Sequence, residues 1–413
     1  MGDAWIIDSC RTPRGIGKVG KGSLAPFHPQ RLGATVLAAL AERNGLDTAD
    51  IDDVVFGTSM QAGTQAGDLG RMAALDAGFD PTVSGVTLDR FCGSGITASS
   101  FAAASVMAGL EDLVIAGGAE MMSSYAANTK GSTRSPFMDG GNLHLRALHP
   151  QTNQGVAADA IATLENIPRT ALDELSAESQ RRAEVAIKEG RFDRSLVPVR
   201  NDDGTVALDR EEYPRPGTTA EALGALPPSF AALADFPLDE AGTTYRQQVL
   251  RRYPGLDITH VHHAGNSSGV VDGAGAILFA SPDYAGAHGL TPRARVVATA
   301  NVGDDPTLML NAPVPAARKV LAKAGLTLDD IDLFEVNEAF AVVTEKFIRD
   351  LDIDRDKINV NGGAIALGHP IGATGAMLIG TALDELERRD QQTALITMCA
   401  AGGMAPAIII ERL

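Results

Sequence analysis

Four short stretches of this chain hold side chains able to carry out nucleophilic and acid–base chemistry. "TLDRFCGSGITASSFAAASVMAG" sets a lone cysteine, Cys92, against glycines at the start of an Ala/Ser-rich helix. There the unpaired backbone N–H groups and the positive end of the dipole favour thiolate over thiol, and the Cys92 N–H can serve as an oxyanion donor. "INVNGGAIALGHPIGATGAMLIG" puts His369 in a glycine-rich turn ahead of Pro370 and an apolar helix, a setting for a general base near neutral pH. The flanking glycines read as room for a ligand. "VNEAFA" brings Asn337 to a helix start, either as an ordinary N-cap or as an amide that orients water or imidazole. "LITMCAAGGMAPAIIIERL" adds a second cysteine, Cys399, where an apolar strand meets glycines. Taken singly, Cys92 reads more readily as a buried inert thiol and His369 as a solvated loop residue, and the other motifs must overturn that.

Other polar groups are less telling. In "HAGNSSGVVDGAGAILF" Ser268 suits either a ligand amide or the cap of a turn. His260, His262 and His263 just before it have metal-ligand character, but alternation along an extended chain splits them between faces, so no metal site is expected. Cys10 reads as packing.

The elements that must position these groups form a repeat. "GLDTADIDDVVFGTSM" (Gly45 to Met60) and "GLTLDDIDLFEVNEAF" (Gly325 to Phe340) share the pattern GL, DID and an apolar strand at a fixed offset of 280 (325 − 45). Each copy follows a helix-like segment, and each is followed by a cysteine at a strand-to-glycine transition, Cys92 and Cys399. Between the two halves, residues 122–250 change texture to Pro, Asp, Arg and Gly with helical pieces such as "LSAESQRRAEVAIKEGRF", the signature of an inserted loop domain. Strand and helix alternate within each half, which predicts layered α/β architecture with buried sheets and ligands at strand ends.

Composition narrows the classes. At 413 residues, with 44 glycines and only 5% aromatics, the chain suits two or three tightly packed α/β units. A net charge of −17 argues against nucleic acid or an anionic membrane as partner. Three cysteines build no disulfide framework and suggest a reducing compartment, here the cytoplasm. The start "MGDAWIIDSCRTPRG" lacks signal-peptide character, and no apolar run is expected to cross a membrane.

Taken together, "DRFCGSGITA", "VNEAFA", "NGGAIALGHPIGATGA" and "CAAGGMAPAIIIE" resemble the four active-site loops of the thiolase family, with supporting matches in "RTPRG", "GDLGRMAAL", "VIAGGAEMMS", "YPRPGTTAEALGALPPSF" and "GNSSGVVDGAGA". The resemblance implies a five-layered αβαβα fold: an N-terminal half from 1–121 plus 251–285, a loop domain over 122–250, and a C-terminal half over 286–413. It implies Cys92 as acyl-accepting nucleophile, His369 as its base and Cys399 as acid/base for the second substrate. Asn337 would hold a water in one oxyanion hole with His369; the backbone N–H groups of Cys92 and Ala401 would form the other. Ser268 would contact the pantetheine arm of coenzyme A, with Phe340 and Gln154 also among the substrate-binding residues. The implied reaction exchanges acyl groups between 3-ketoacyl-CoA and coenzyme A, needs no metal or redox cofactor, and belongs to a homodimer or homotetramer, with "GSTRSPFMDGG" a candidate for tetramer contacts. Thiolysis and acetoacetyl-CoA synthesis are alternative directions of that chemistry.

Three departures stand out. Ala401 replaces a usual glycine, so its N–H serves only if its φ stays negative. Asn153, Gln154 and Gly155 stand where short-chain relatives carry HMG, which leaves acyl preference open. Histidines precede "AGN", with no account from sequence. A decarboxylating condensing enzyme would lack Cys399, a noncatalytic carrier would lack part of the Cys92, His369 and Cys399 set, and a cysteine amidase would need no second cysteine.

Overall fold

The computed structural model describes residues 2–130 and 137–413; the "GSTRSP" part of the segment expected at a tetramer contact lies outside the described residues. Its centre is one long mixed sheet made of two similar groups of strands. In the first, Val86–Leu88 lies parallel to Asp53–Gly57, which lies parallel to Leu113–Met121; Val271–Ala280 and Trp5–Arg11 follow antiparallel. In the second, Leu333–Val336 lies parallel to Thr393–Thr397, followed antiparallel by Met404–Arg412 and Ala294–Gly303. A single parallel bridge from Phe334 to Ile358 takes the place that Val86–Leu88 holds in the first group. The pairs Trp5–Arg295 and Ile6–Ala294 join the two groups.

Alternate residues along each strand face different layers, as the two-residue period requires. Ile6, Val55, Val114, Ala116, Ile277 and Phe279 share one core with Leu333, Ala394, Ile396, Ile408 and Ile410 and with the helices Ser94–Ala108 and Ile371–Arg389. Their neighbours Ile7, Val54, Phe56, Ile115 and Leu278 turn to the helices Pro29–Asn44 and Leu69–Asp76. On the other side Phe334, Leu395 and Ile409 face Pro313–Ala324 and Ala341–Leu351. Helix, sheet, helix, sheet, helix is therefore the order of layers, as expected. The 18-residue stretch Phe91–Ala108 is long and apolar enough by composition to cross a membrane, contrary to the expectation from sequence. Its apolarity is explained by its place between two sheets, where 67% of that stretch is buried.

The repeat holds residue by residue. Gly45 and Gly325 end equivalent helices in the left-handed conformation, with φ 60° and 69°. Asp52 Oδ2 accepts the N–H groups of Asp112 and Leu113, and Asp332 Oδ2 accepts those of Gln392 and Thr393. The cysteines do not follow this symmetry. At the same offset Cys92 matches Gly372, His369 matches Asp89 and Cys399 matches Ala119, so their common strand-to-glycine setting is not a trace of the repeat.

The inserted region carries the helices Gln154–Leu164 and Arg169–Lys188 and is tied to the first half by charge. Glu211 accepts from the backbone and side chain of Arg14 and pairs with Arg11. Glu212 accepts the N–H of Ile16 and both N–H and O–H of Ser23.

Candidate active site

Cys92 sits two residues before the helix Ser94–Ala108, in a turn that side chains hold closed. Phe91, just before it, takes the left-handed region at φ 50°, at a cost of about 1 kcal/mol or more for a residue with a Cβ. Asp89 Oδ1 accepts the Phe91 N–H at 2.6 Å, while Ser94 Oγ donates to the Phe91 carbonyl at 2.7 Å and accepts from the Arg90 N–H at 2.9 Å. Residue types gave no warning of this strain.

The helices that follow Cys92 and His369 meet at their N-terminal ends. A Cβ on Gly95 would lie 2.9 Å from the Gly375 nitrogen, and one on Gly375 would collide with the Ile96 nitrogen. Similarly a Cβ on Gly363 would strike the buried carboxylate of Glu338. The glycines around His369 thus make room for the chain's own backbone and for Glu338, not for a ligand as the sequence suggested. Glu338 itself, given no role from the sequence, accepts from Ser179 Oγ, Asn359 Nδ2 and the Ile365 N–H, and fixes the loop that presents Asn337.

Asn337 is not an N-cap. The helix Ala341–Leu351 starts later, with Phe340 at the cap position. The Asn337 side chain is fully buried; its Nδ2 lies 3.4 Å from His369 Nε2, and its Oδ1 has no partner. His369 Nδ1 lies 2.6 Å from Thr374 Oγ1. Burial, with the nearby Arg14 charge second, holds the imidazole down at about 3, so across the physiological range it is neutral, with one ring nitrogen free to accept a proton.

Burial also corrects the reading of Cys92 as a ready thiolate. It pushes the thiol up to about 12, and the Glu120 carboxylate adds to the rise. The Cys92 and Ala401 backbone N–H groups pull the other way, but more weakly. Desolvation therefore outweighs the helix N-terminus here. Cys399 is raised as well, by burial first and then by Cys92, whose charge it feels. Its loop reaches the turn of Cys92: a Cβ on Gly93 would lie 2.8 Å from Pro406 and 3.4 Å from the Ala400 side chain. Ala401 keeps a negative φ because Gly402 and Gly403 take the left-handed positions, at 81° and 79°. The structure thus brings Cys92, Ala401 and Cys399 together, and His369 with Asn337, at the meeting point of the two central helices.

The remaining candidates form a second group. Phe340 packs edge-on against Phe230 and His262, with centroids 5.8 and 5.6 Å apart. Gly155, next to half-buried Gln154, lies so close to Phe230 that a Cβ there would overlap the ring. Half-buried Ser268 gives its N–H to the Ala339 carbonyl, beside Phe340. The histidines find carboxylates: His260 and His262 both bond Asp159, at 2.6 and 2.8 Å, and His263 turns the other way to Asp173 at 2.9 Å. They join the inserted helices to the core, which answers what sequence left without an account.

Family models cover most of the chain: thiolase, N-terminal domain, over residues 4–234 and thiolase, C-terminal domain, over 290–412. The chain is 39% identical to an acetyl-CoA acetyltransferase of Escherichia coli (strain K12), covering 100% of both. It is 40% identical to a 3-oxoadipyl-CoA/3-oxo-5,6-dehydrosuberyl-CoA thiolase of the same strain, again over 100% of both. A steroid 3-ketoacyl-CoA thiolase of Mycobacterium tuberculosis is 38% identical, over 100% of this chain and 95% of that one. Among solved structures, an acetyl-CoA acetyltransferase of Bacillus anthracis superposes with a TM-score of 0.83 at 33% identity, over 100% of this chain and 99% of that one.

Proposed function

The chain belongs to the thiolase family and is an acyltransferase, and from that premise we propose that it cleaves 3-ketoacyl-CoA with coenzyme A through a Cys92 acyl-enzyme. The observation that carries the proposal is the packing of the Cys399 loop on the turn of Cys92, where a Cβ on Gly93 would lie 3.4 Å from the Ala400 side chain, so that two buried free cysteines meet.

A thiol at about 12 keeps its proton at rest, and the imidazole is neutral. His369 Nε2 takes that proton as the sulfur attacks the keto carbon, so Cys92 is not required to stand as a free thiolate before attack. The carbon–carbon bond breaks, and the departing acetyl-CoA enolate takes a proton from the Cys399 thiol. Coenzyme A then gives its thiol proton to the Cys399 thiolate and attacks the Cys92 thioester. Collapse expels Cys92 sulfur, which recovers its proton from His369, and both cysteines end as they began. The Cys92 and Ala401 N–H groups serve the tetrahedral oxyanion, and Asn337 with a water and His369 serves the enolate. Its partnerless Oδ1 supports the latter role. Each donor is worth roughly 3 kcal/mol.

Ser268, Phe340 and Gln154 are assigned to the pantetheine and acyl portions, and acyl-CoA and coenzyme A are the only ligands required; no metal or redox cofactor enters any step. The domain division at 1–121 with 251–285, 122–250 and 286–413, homo-oligomeric assembly, and a cytoplasmic location consistent with three free cysteines complete the reading. Relatives named acetyl-CoA acetyltransferase favour acetoacetyl-CoA synthesis as the second reading. Cys92→Ala should abolish acyl-enzyme formation, while Cys399→Ala should still acylate from acyl-CoA but fail to exchange the acetyl α-proton. Normal turnover in either variant contradicts the roles, and thiolysis across 3-ketoacyl-CoA chain lengths, acetoacetyl-CoA included, separates the two readings.

A further inference from the structure

The hydroxyl of Thr374 touches two groups. It lies 2.9 Å from the Pro370 carbonyl, one turn back in its own helix, and 2.6 Å from His369 Nδ1. Thr374 is 1% exposed and His369 4%, so water does not settle which bond the hydroxyl proton makes. Two arrangements compete. In one, His369 Nδ1–H donates to Thr374 Oγ1, Thr374 donates to Pro370, and Asn337 Nδ2 donates to a bare His369 Nε2. In the other, Thr374 donates to Nδ1, Nε2–H points at the Asn337 amide, and the bond from the hydroxyl to Pro370 is lost. The first makes three hydrogen bonds and the second two, in a site where each unmade bond carries the cost of a buried polar group. The chain Nδ1–H, Oγ1–H, carbonyl also runs in one direction, so its members polarise each other favourably.

We infer that Thr374 is a positioning residue for the reaction: its hydroxyl, committed to Pro370, admits only the Nδ1–H form of His369 and leaves Nε2 bare toward Asn337. This rests on the reading of His369 as the base for Cys92. The helix supplies the device at little cost, because residue 374 lies one turn beyond Pro370, where a threonine hydroxyl naturally bonds back to the carbonyl. When Nε2 takes the Cys92 proton, the same oxygen remains an acceptor for Nδ1–H and needs no rearrangement.

The test compares Thr374→Val, which keeps the side-chain shape and removes the hydroxyl, with Thr374→Ser, which restores it, and His369→Gln. Expected for Thr374→Val is a fall in kcat for acetoacetyl-CoA thiolysis of about 100-fold, the lower range for loss of a correctly oriented base, with KM within about twofold. Thr374→Ser should recover most of it. In 15N-histidine-labelled protein, the His369 ring signals, identified by their loss in His369→Gln, should show the proton on Nδ1 in the wild type and a mixture in Thr374→Val. Full activity in Thr374→Val, equal loss in the Ser and Val variants, or a wild-type proton on Nε2 would each overturn the inference. If instead His369→Gln acylates Cys92 at the wild-type rate, it is the role of His369 as base that fails, whatever the ring proton shows. Should Thr374→Val not fold, the wild-type ring signals alone decide the tautomer.

Discussion

At the scale of single residues, the site is defined by what burial does to charge. Cys92 is held neutral by desolvation and by Glu120, a fully buried carboxylate that accepts from the N–H groups of Ser59 and Gly372, from Gln65 Nε2 and from Thr58 Oγ1. Without substrate, iodoacetamide alkylation of Cys92 should therefore climb steadily with pH and show no plateau up to pH ~10, because thiolate is still the minor form there. Replacing Glu120 by glutamine removes a negative neighbour and lowers the thiol's pKa, so Glu120→Gln should alkylate faster at pH 8. A plateau near pH 8 in the wild type, or an unchanged rate in the variant, would contradict this electrostatic account. Cys92, His369, Cys399 and Asn337 were picked out as candidates by four motifs taken together and by their resemblance to a family's loops, since each residue type alone has a structural use as well. Phe91, Thr374, Glu120 and Glu338 were not, since their roles are set by φ, by a single proton and by burial, none of which residue type encodes.

At the scale of elements, contact between the two central helices sets how near the Cys92 and His369 turns come to each other. Gly375→Ala places a methyl group against the Ile96 backbone, with no flexible side chain able to yield. We expect destabilisation of about 3 kcal/mol, at the upper end for overpacking, together with loss of activity. Gly286→Ala is the control: it lies in the helix Pro282–His288 with nothing within 4 Å of the added Cβ, and should be neutral or stabilising by up to about 1 kcal/mol. Urea unfolding of both variants checks the contrast. The helices and strands of the repeat could be read from periodicity, whereas the purpose of the glycines could not: a sequence shows that space is left but not what fills it.

At the scale of the molecule, both sheets contribute their inner faces to one core around the two central helices. Neither half can keep that core alone, so unfolding should be a single transition. The one tryptophan, Trp5, pairs with strands of both halves, at Ala280 and Arg295. Its fluorescence and far-UV circular dichroism should therefore report coincident urea midpoints; two separated transitions would show that the halves fold independently. The two-half architecture was visible in the echo at offset 280, but the long-range docking of Glu211 and Glu212 onto residues 11–23 was not, because ion pairs distant in sequence leave no local pattern.

The repeat is symmetric in backbone yet unequal in chemistry. One copy carries sulfur where its counterpart has Gly372, and the other carries imidazole where its counterpart has Asp89. An ancestor made of one such unit, even paired with itself, would have needed both groups on every copy. Joining two units in a single polypeptide lets each specialise, so any scission or shuffling that separates them leaves two inert partners whose competence returns only on reunion.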